Sequence, residues 1–143
     1  MRPAVSLRGG GAQSYRACLN RFSPMPIVTS QPFVVPAPGG KVIEEFVGGA
    51  STGTASHSVA HMIAPPGWDE PWQRPEFDET TIVLRGTMRV HHDGGFVDVH
   101  AGQTILCVAG ERIRYANASA DDACEYWAVC SPAFSPDTVH RED

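Results

Sequence analysis

Histidines, cysteines and neighbouring carboxylates are the side chains that most often hold metals or move protons, so their spacing comes first. The six histidines are His57, His61, His91, His92, His100 and His140. His57 and His61 stand four apart, which in a strand puts both on one face, and one of them could reach an interior. His91 and His92 adjoin the turn dipeptide Asp93-Gly94 and are expected to face water. Cys18, Cys107, Cys124 and Cys130 form neither a C-x-x-C pair nor a dense framework, and they read as buried free thiols. Glu70, Glu76, Asp78 and Glu79 crowd one connection, where Glu70, Glu76 and Asp78 read as loop charges. Asp78 and Glu79 are adjacent, so in a strand they point to opposite faces and do not form a catalytic pair. Asn117-Ala118-Ser119 matches a glycosylation sequon, but no export signal accompanies it.

These residues must be placed by a chain of 143 residues, long enough for one hydrophobic core and short for two. With 42% hydrophobic residues, 19% charged and a net charge of -5, the composition suits a folded domain. The eleven basic residues are scattered, so a nucleic-acid partner is not expected. No apolar run approaches the roughly 18 residues of a membrane span, and no membrane partner is expected. Residues 1–24 are rich in Arg, Gly and Ser and read as a flexible arm, with one folded domain expected over 25–143. The start lacks an apolar signal core, which predicts a cytoplasmic location.

No proline occurs from Glu76 to Ser131, so the middle can be continuous sheet. Runs of strand composition, separated by turn signals such as Leu84-Arg85-Gly86 and Ala101-Gly102, predict strands near 41–47, 56–64, 79–85, 87–92, 96–100, 104–108, 112–116 and 124–130. That spacing describes a meander of antiparallel hairpins forming an all-β sandwich or barrel, with helices scarce. Asp93-Gly94 is the best hairpin signal, since both residue types tolerate positive φ. No internal repeat suggests a second barrel.

The stretch from Pro66 to Asn117 resembles the cupin superfamily, whose motifs are G-x5-H-x-H-x3/4-E-x6-G and G-x5-P-x-G-x2-H-x3-N. Glu79 is followed at the right interval by Gly86, and Gly102, Gly110 and Asn117 fall at their positions in the second motif. The tail from Ala128 to Pro136 is similar to the end of some bacterial single-domain cupins. The resemblance implies a cupin (jelly-roll-like) antiparallel β-barrel. It also marks departures. The first-motif histidine positions hold Trp72 and Arg74, or Gln73 and Pro75, depending on the spacing used, and the second-motif histidine position holds Ile113. Of the four usual ligands only Glu79 remains, so neither a metal nor another cofactor is expected.

If Glu79 points inward as the resemblance implies, alternation sends Thr81 and Val83 inward too, while Ile113 and Tyr115 face in and Arg112 and Arg114 face out. The expected ligand-binding wall is then Trp72, Gln73, Arg74, Thr81, Ile113 and Tyr115 around Glu79, a mostly apolar surface with a few polar groups. Apolar surroundings would disfavour the charged form of Glu79 and suit it to general acid or base work, the candidate catalytic role. An ion pair with Arg74 is the plain alternative. Outward-facing Ile82 and Leu84 need cover, from residues 27–35 or from a second copy in a homodimer. Three functions follow: binding of a small molecule without turnover, a metal-independent isomerase, cyclase or lyase using Glu79, and an atypical metal-dependent dioxygenase.

Overall fold

Along a strand the side chains alternate between two faces, and in this chain the inward faces carry mostly apolar or small residues while the outer faces mix polar with some apolar ones. The computed structural model describes residues 25–143; the arm expected over 1–24, and Cys18 with it, lie outside the described residues. Nine strands follow in order: β1 Phe33–Val34, β2 Val42–Val47, β3 Ser58–Ala64, β4 Asp78–Arg85, β5 Thr87–His92, β6 Gly95–His100, β7 Thr104–Cys107, β8 Ile113–Asn117 and β9 Cys124–Ser131. Among the described residues there is no helix, and none long and apolar enough to cross a membrane. The fold is all-β and antiparallel.

The strands form a six-stranded sheet, β1-β2-β3-β9-β4-β7, facing a three-stranded sheet, β6-β5-β8. This corrects the simple meander. β9 returns to lie between β3 and β4, and β8 pairs with β5 across the intervening β6 and β7. The physical reason is that each sheet has one apolar face, and two such faces cover each other only when the chain crosses between sheets. The turn between β4 and β5 makes one such crossing at Gly86. Its φ is 80°, and a Cβ there would stand 2.5 Å from the Ala123 carbonyl oxygen, so only glycine fits.

Alternation holds on β4, where Thr81 and Val83 are buried while Ile82 and Leu84 are exposed. It holds on β8 as well, with Ile113 and Tyr115 buried. Val83, Met88, Val90, Val99, Ile113, Tyr115 and Tyr126 form the main core, and each large apolar side chain taken from water contributes about 1.5–3 kcal/mol. Phe77, Cys130, Val139 and Phe134 form a second cluster at one end. The β5–β6 hairpin turns on Asp93-Gly94 as expected, but the positive φ falls on Gly95, at 138°. His92 Nδ1 accepts the Gly94 N–H at 3.1 Å and holds the turn without left-handed residues at its tip. Asn117 is buried, donating from Nδ2 to the carbonyls of Ala64, Pro65 and Asp122 at 3.2, 3.0 and 2.8 Å. The sequon asparagine is therefore a strut of the fold.

Candidate functional site

Pairing in register carries inward-facing residues of the large sheet into rows. One row runs Ser58, Cys130, Glu79, Cys107; the next runs Glu45, Ala60, Ala128, Thr81; a third runs Ile43, Met62, Tyr126, Val83. Ser58, Ala60 and Ala128 are too small to fill the space between the larger residues around them. The result is a cavity of about 420 Å³, within the range of roughly 300–1,000 Å³ that small-ligand sites occupy. Trp68, Phe77, Tyr115, Tyr126 and Phe134 supply aromatic walls, and Lys41, Glu45, Glu70, Glu79, Gln73 and Arg141 the polar groups.

Three segments outside the sheets complete this enclosure. Residues 35–41 lead into β2 and bring Lys41. Residues 68–77 run beside β8, where the Gln73 N–H donates to the Ile113 carbonyl at 2.8 Å and the Ile113 N–H donates back at 2.9 Å. Residues 138–142 then run along 72–76, with the Arg74 N–H donating to the His140 carbonyl and the Glu142 N–H to the Trp72 carbonyl. This C-terminal strap places Val139 and Arg141 in the wall. His140 bends it with a φ of 48°, uncommon outside glycine, and its ring lies 2.8 Å from the Glu76 carboxylate.

The expected wall residues divide sharply. Glu79, Gln73 and Tyr115 line the cavity. Trp72 stacks beneath the Arg112 guanidinium, 4.1 Å from its ring centre, on the outer side. Arg74 is exposed and donates to the Gly110 carbonyl at 2.7 Å, so it makes no ion pair with Glu79. Thr81 and Ile113 are buried in the core and do not line the cavity. His61 sits on the outer face of β3, 3.7 Å from both Glu44 and Glu125. Lys41, Trp68, Glu70, Tyr126 and the strap were not anticipated, and Glu70 was read as a loop charge. One signal was available: Lys41 is the only lysine in the sequence.

Glu79 is the electrostatic centre of the site. Its Oε2 accepts the Cys130 thiol proton at 3.2 Å. Burial, and then the Glu79 charge, push the Tyr115 hydroxyl and the Cys130 thiol far up, so both stay protonated. Tyr115 Oη is buried against the Glu79 carboxylate and the Cys107 thiol, and Gln73 Oε1 is buried with no hydrogen-bond partner within the protein. Toward the mouth, Lys41 Nζ lies 3.6 Å from the centre of the Trp68 ring and donates a short hydrogen bond to Tyr126 Oη. Lys41 and Glu70 keep partial accessible surface, yet protein surrounds them on nearly every side because what they face is the cavity. Desolvation therefore dominates both. It pushes Lys41 down to about 8 against the pull of Glu70 and Glu79, and it pushes Glu70 up to about 7 against the pull of Lys41.

The resembled family implies a metal near Glu79, and the donors present do not fit one. Around this carboxylate stand an amide, a phenol and a thiol held protonated, where a divalent transition metal needs imidazoles or thiolates. Among the described residues no group of three or more His, Cys, Asp and Glu side chains could hold a metal ion.

Comparison with known proteins agrees with this architecture. The Cupin_2 family, described as a cupin domain, matches residues 60–130. A curated relative named endoribonuclease YbeY, from Myxococcus xanthus, is 50% identical over 109 residues covering 76% of this chain. The chain spans only 37% of that relative's length. Among solved structures, the Streptomyces protein PAC13 with uridine is 15% identical, with a TM-score of 0.66 over 85% of this chain and 92% of its own. The polyketide cyclase RemF from Streptomyces resistomycificus is 16% identical, with a TM-score of 0.65 over 84% of this chain and 86% of its own. At such identities the likeness speaks for the fold alone. Strand order, motif glycines and the family match converge on one conclusion: the chain belongs to the cupin superfamily.

Proposed function

We propose that the chain binds a small organic molecule in its barrel cavity and acts on it by metal-independent proton transfer, with Glu79 as the acid or base. One observation carries this reading: Glu79 lines an enclosed cavity of about 420 Å³ together with Trp68, Phe77, Tyr115 and Tyr126, and among the described residues no cation is paired with it. The aromatic walls favour a ligand with a flat or unsaturated body. Solved relatives of this shape include a cyclase and a protein bound to uridine, which supports a small-molecule occupant. An RNA substrate, as the curated relative's name suggests, is disfavoured by a wall that carries Glu45, Asp69, Glu70 and Glu79 against Lys41 and Arg141.

A fragment screen by ligand-detected NMR tests the reading on wild type and on Glu79→Gln. Aromatic fragments should bind wild type at millimolar concentration or better. Glu79→Gln should weaken the best of them by roughly 10-fold or more, and for a converted substrate should lower turnover by roughly 10²–10⁴-fold. Stability should stay within about 1 kcal/mol, since among the described residues no cation is paired directly with Glu79. A cavity that admits no fragment, together with a Tm lowered by more than about 10 °C in the variant, would leave the barrel as a scaffold.

A further inference from the structure

We propose that Lys41 is an amine nucleophile that condenses with the carbonyl group of an aldehyde or ketone held in the cavity. The inference rests on the reading above only in requiring that the cavity admit a small organic molecule.

Composition supplies the first argument. The chain carries ten arginines and one lysine, and that lysine lines the cavity. Surface cations and ion pairs are all made with arginine or histidine: Arg89 with Asp98, Arg112 with Glu142, Arg114 with Asp69. What lysine offers and arginine does not is a nitrogen that can lose its proton and attack carbon. Geometry supplies the second. Among the described residues Lys41 forms no ion pair, although Glu70 lines the same wall. Its Nζ is packed over Trp68 and hydrogen-bonded to Tyr126 Oη. Ile43, Met62 and Trp68 line the cavity with it and give the amine mainly apolar neighbours. The displaced protonation of both groups agrees: with Lys41 at about 8, about a tenth of it is free amine at pH 7, and Glu70 at about 7 is shared between acid and base forms.

The step balances with the groups in place. The Lys41 lone pair forms the C–N bond, and the carbonyl electron pair moves to oxygen, which takes a proton. The carbinolamine then loses its hydroxyl as water, the C–O bond breaking as the nitrogen lone pair forms C=N. Glu70, in the same wall beyond ion-pair distance of Lys41, takes the proton from nitrogen through a bridging water and returns it to the departing hydroxyl, with the Tyr126 phenol as a second donor. Amine plus carbonyl gives imine plus water, without oxidant or reductant. The aromatic and aliphatic walls select carbonyl compounds with an apolar body.

The test uses the whole chain with benzaldehyde as probe and cyanoborohydride as trap, near pH 7.5, read by mass spectrometry of peptides. In the 143-residue polypeptide tested the other primary amine is the α-amine, whose ordinary pKa of about 8 lies close to that of Lys41. Basicities are thus similar, and repeating the rates up to about pH 9 separates the free-amine fraction of each group from its reactivity. Lys41 should acquire the benzyl group about tenfold faster than the α-amine, or more, and Glu70→Gln, compared with wild type at about pH 9 where Lys41 is mainly free amine in both, should slow the Lys41 reaction by about tenfold. Binding of benzaldehyde is followed separately, by ligand-detected NMR without reductant. If the probe binds and Lys41 reacts no faster than the α-amine, the imine proposal fails and the small-molecule reading stands. If the probe neither binds nor reacts, both fail. An unchanged rate in Glu70→Gln overturns the role given to that carboxyl.

Discussion

Neutralising the Lys41 and Glu70 pair should reshape the pH dependence of stability, with opposite slopes on the two sides of neutrality. Glu70 is held at about 7 against an ordinary 4.5, so between these values the folded state binds more protons than the unfolded chain. Stability from this group is therefore greatest at low pH and is lost as pH rises through 7. Lys41 is held at about 8 against an ordinary 10.5, so between these values the unfolded chain binds more protons. Its penalty is full below 8 and is relieved as pH rises toward 10.5. Together they place a shallow minimum of stability between pH 7 and 8. Each displacement spans about 2.5 decades at about 1.4 kcal/mol per decade, an upper limit of about 3.5 kcal/mol, which water reaching the cavity reduces to roughly 1–2 kcal/mol. At roughly 3–6 °C per kcal/mol, calorimetry resolves this easily. Glu70→Gln should match wild type near pH 4 and melt roughly 3–10 °C higher at pH 7. Lys41→Met should gain most below pH 8 and converge on wild type toward pH 10. Ionised Glu70 steadies the Lys41 ammonium, so each single variant under-reports the effect and K41M/E70Q gives the flattest curve. Burial raises the thiols of Cys107, Cys124 and Cys130 in every variant, so the difference between curves is the quantity to read. A Glu70→Gln difference that is the same at pH 4 and pH 7 would refute the reasoning.

Elemental analysis of purified protein should find less than about half an equivalent of any transition metal, because the donors around Glu79 do not fit one; stoichiometric nickel, iron, manganese or zinc removed by Glu79→Gln would overturn that. The outer face of the large sheet exposes Ile82 at 38%, Leu84 at 46% and Leu106 at 60%, the last on the edge strand β7, and we propose that a second copy of the chain covers it. Sedimentation equilibrium should give the mass of two chains for wild type and of one for a Leu84→Glu, Leu106→Glu variant; a monomeric wild type would sink the proposal.

Much of the fold was legible because strand composition and turn residues are local signals. The eight longer strands lie close to where turn chemistry puts them, and only the two-residue β1 is added. Period-two alternation sorted Thr81 and Val83 from Ile82 and Leu84 without any tertiary information. The order β3-β9-β4 was not legible, since pairing between residues far apart in the chain leaves no local trace. In the site, Trp72, Gln73 and Arg74 were all expected to face inward. Successive residues of an extended segment cannot do so, and the pairing of Gln73 with Ile113 and Arg141 selects Gln73 alone. Lys41 and the strap come from segments that reach the cavity only through long-range packing. The solitary lysine was still visible as a count.

The cavity wall is stitched from residues 35–45, 58–62, 68–79, 115–130 and 134–141, segments drawn from most of the chain's length. No single hairpin contains a binding surface of its own. An occupant touching Lys41, Glu79 and Arg141 would therefore bridge parts of the molecule that otherwise could fray independently, converting separate local openings into one cooperative event. Amide hydrogen exchange would register this as slowed exchange in the strap and in the approach to β2 together, far from each other in sequence. Affinity and the ordering of the two margins of the barrel are then one free energy, so substitutions that loosen the strap weaken binding even when they touch no ligand atom.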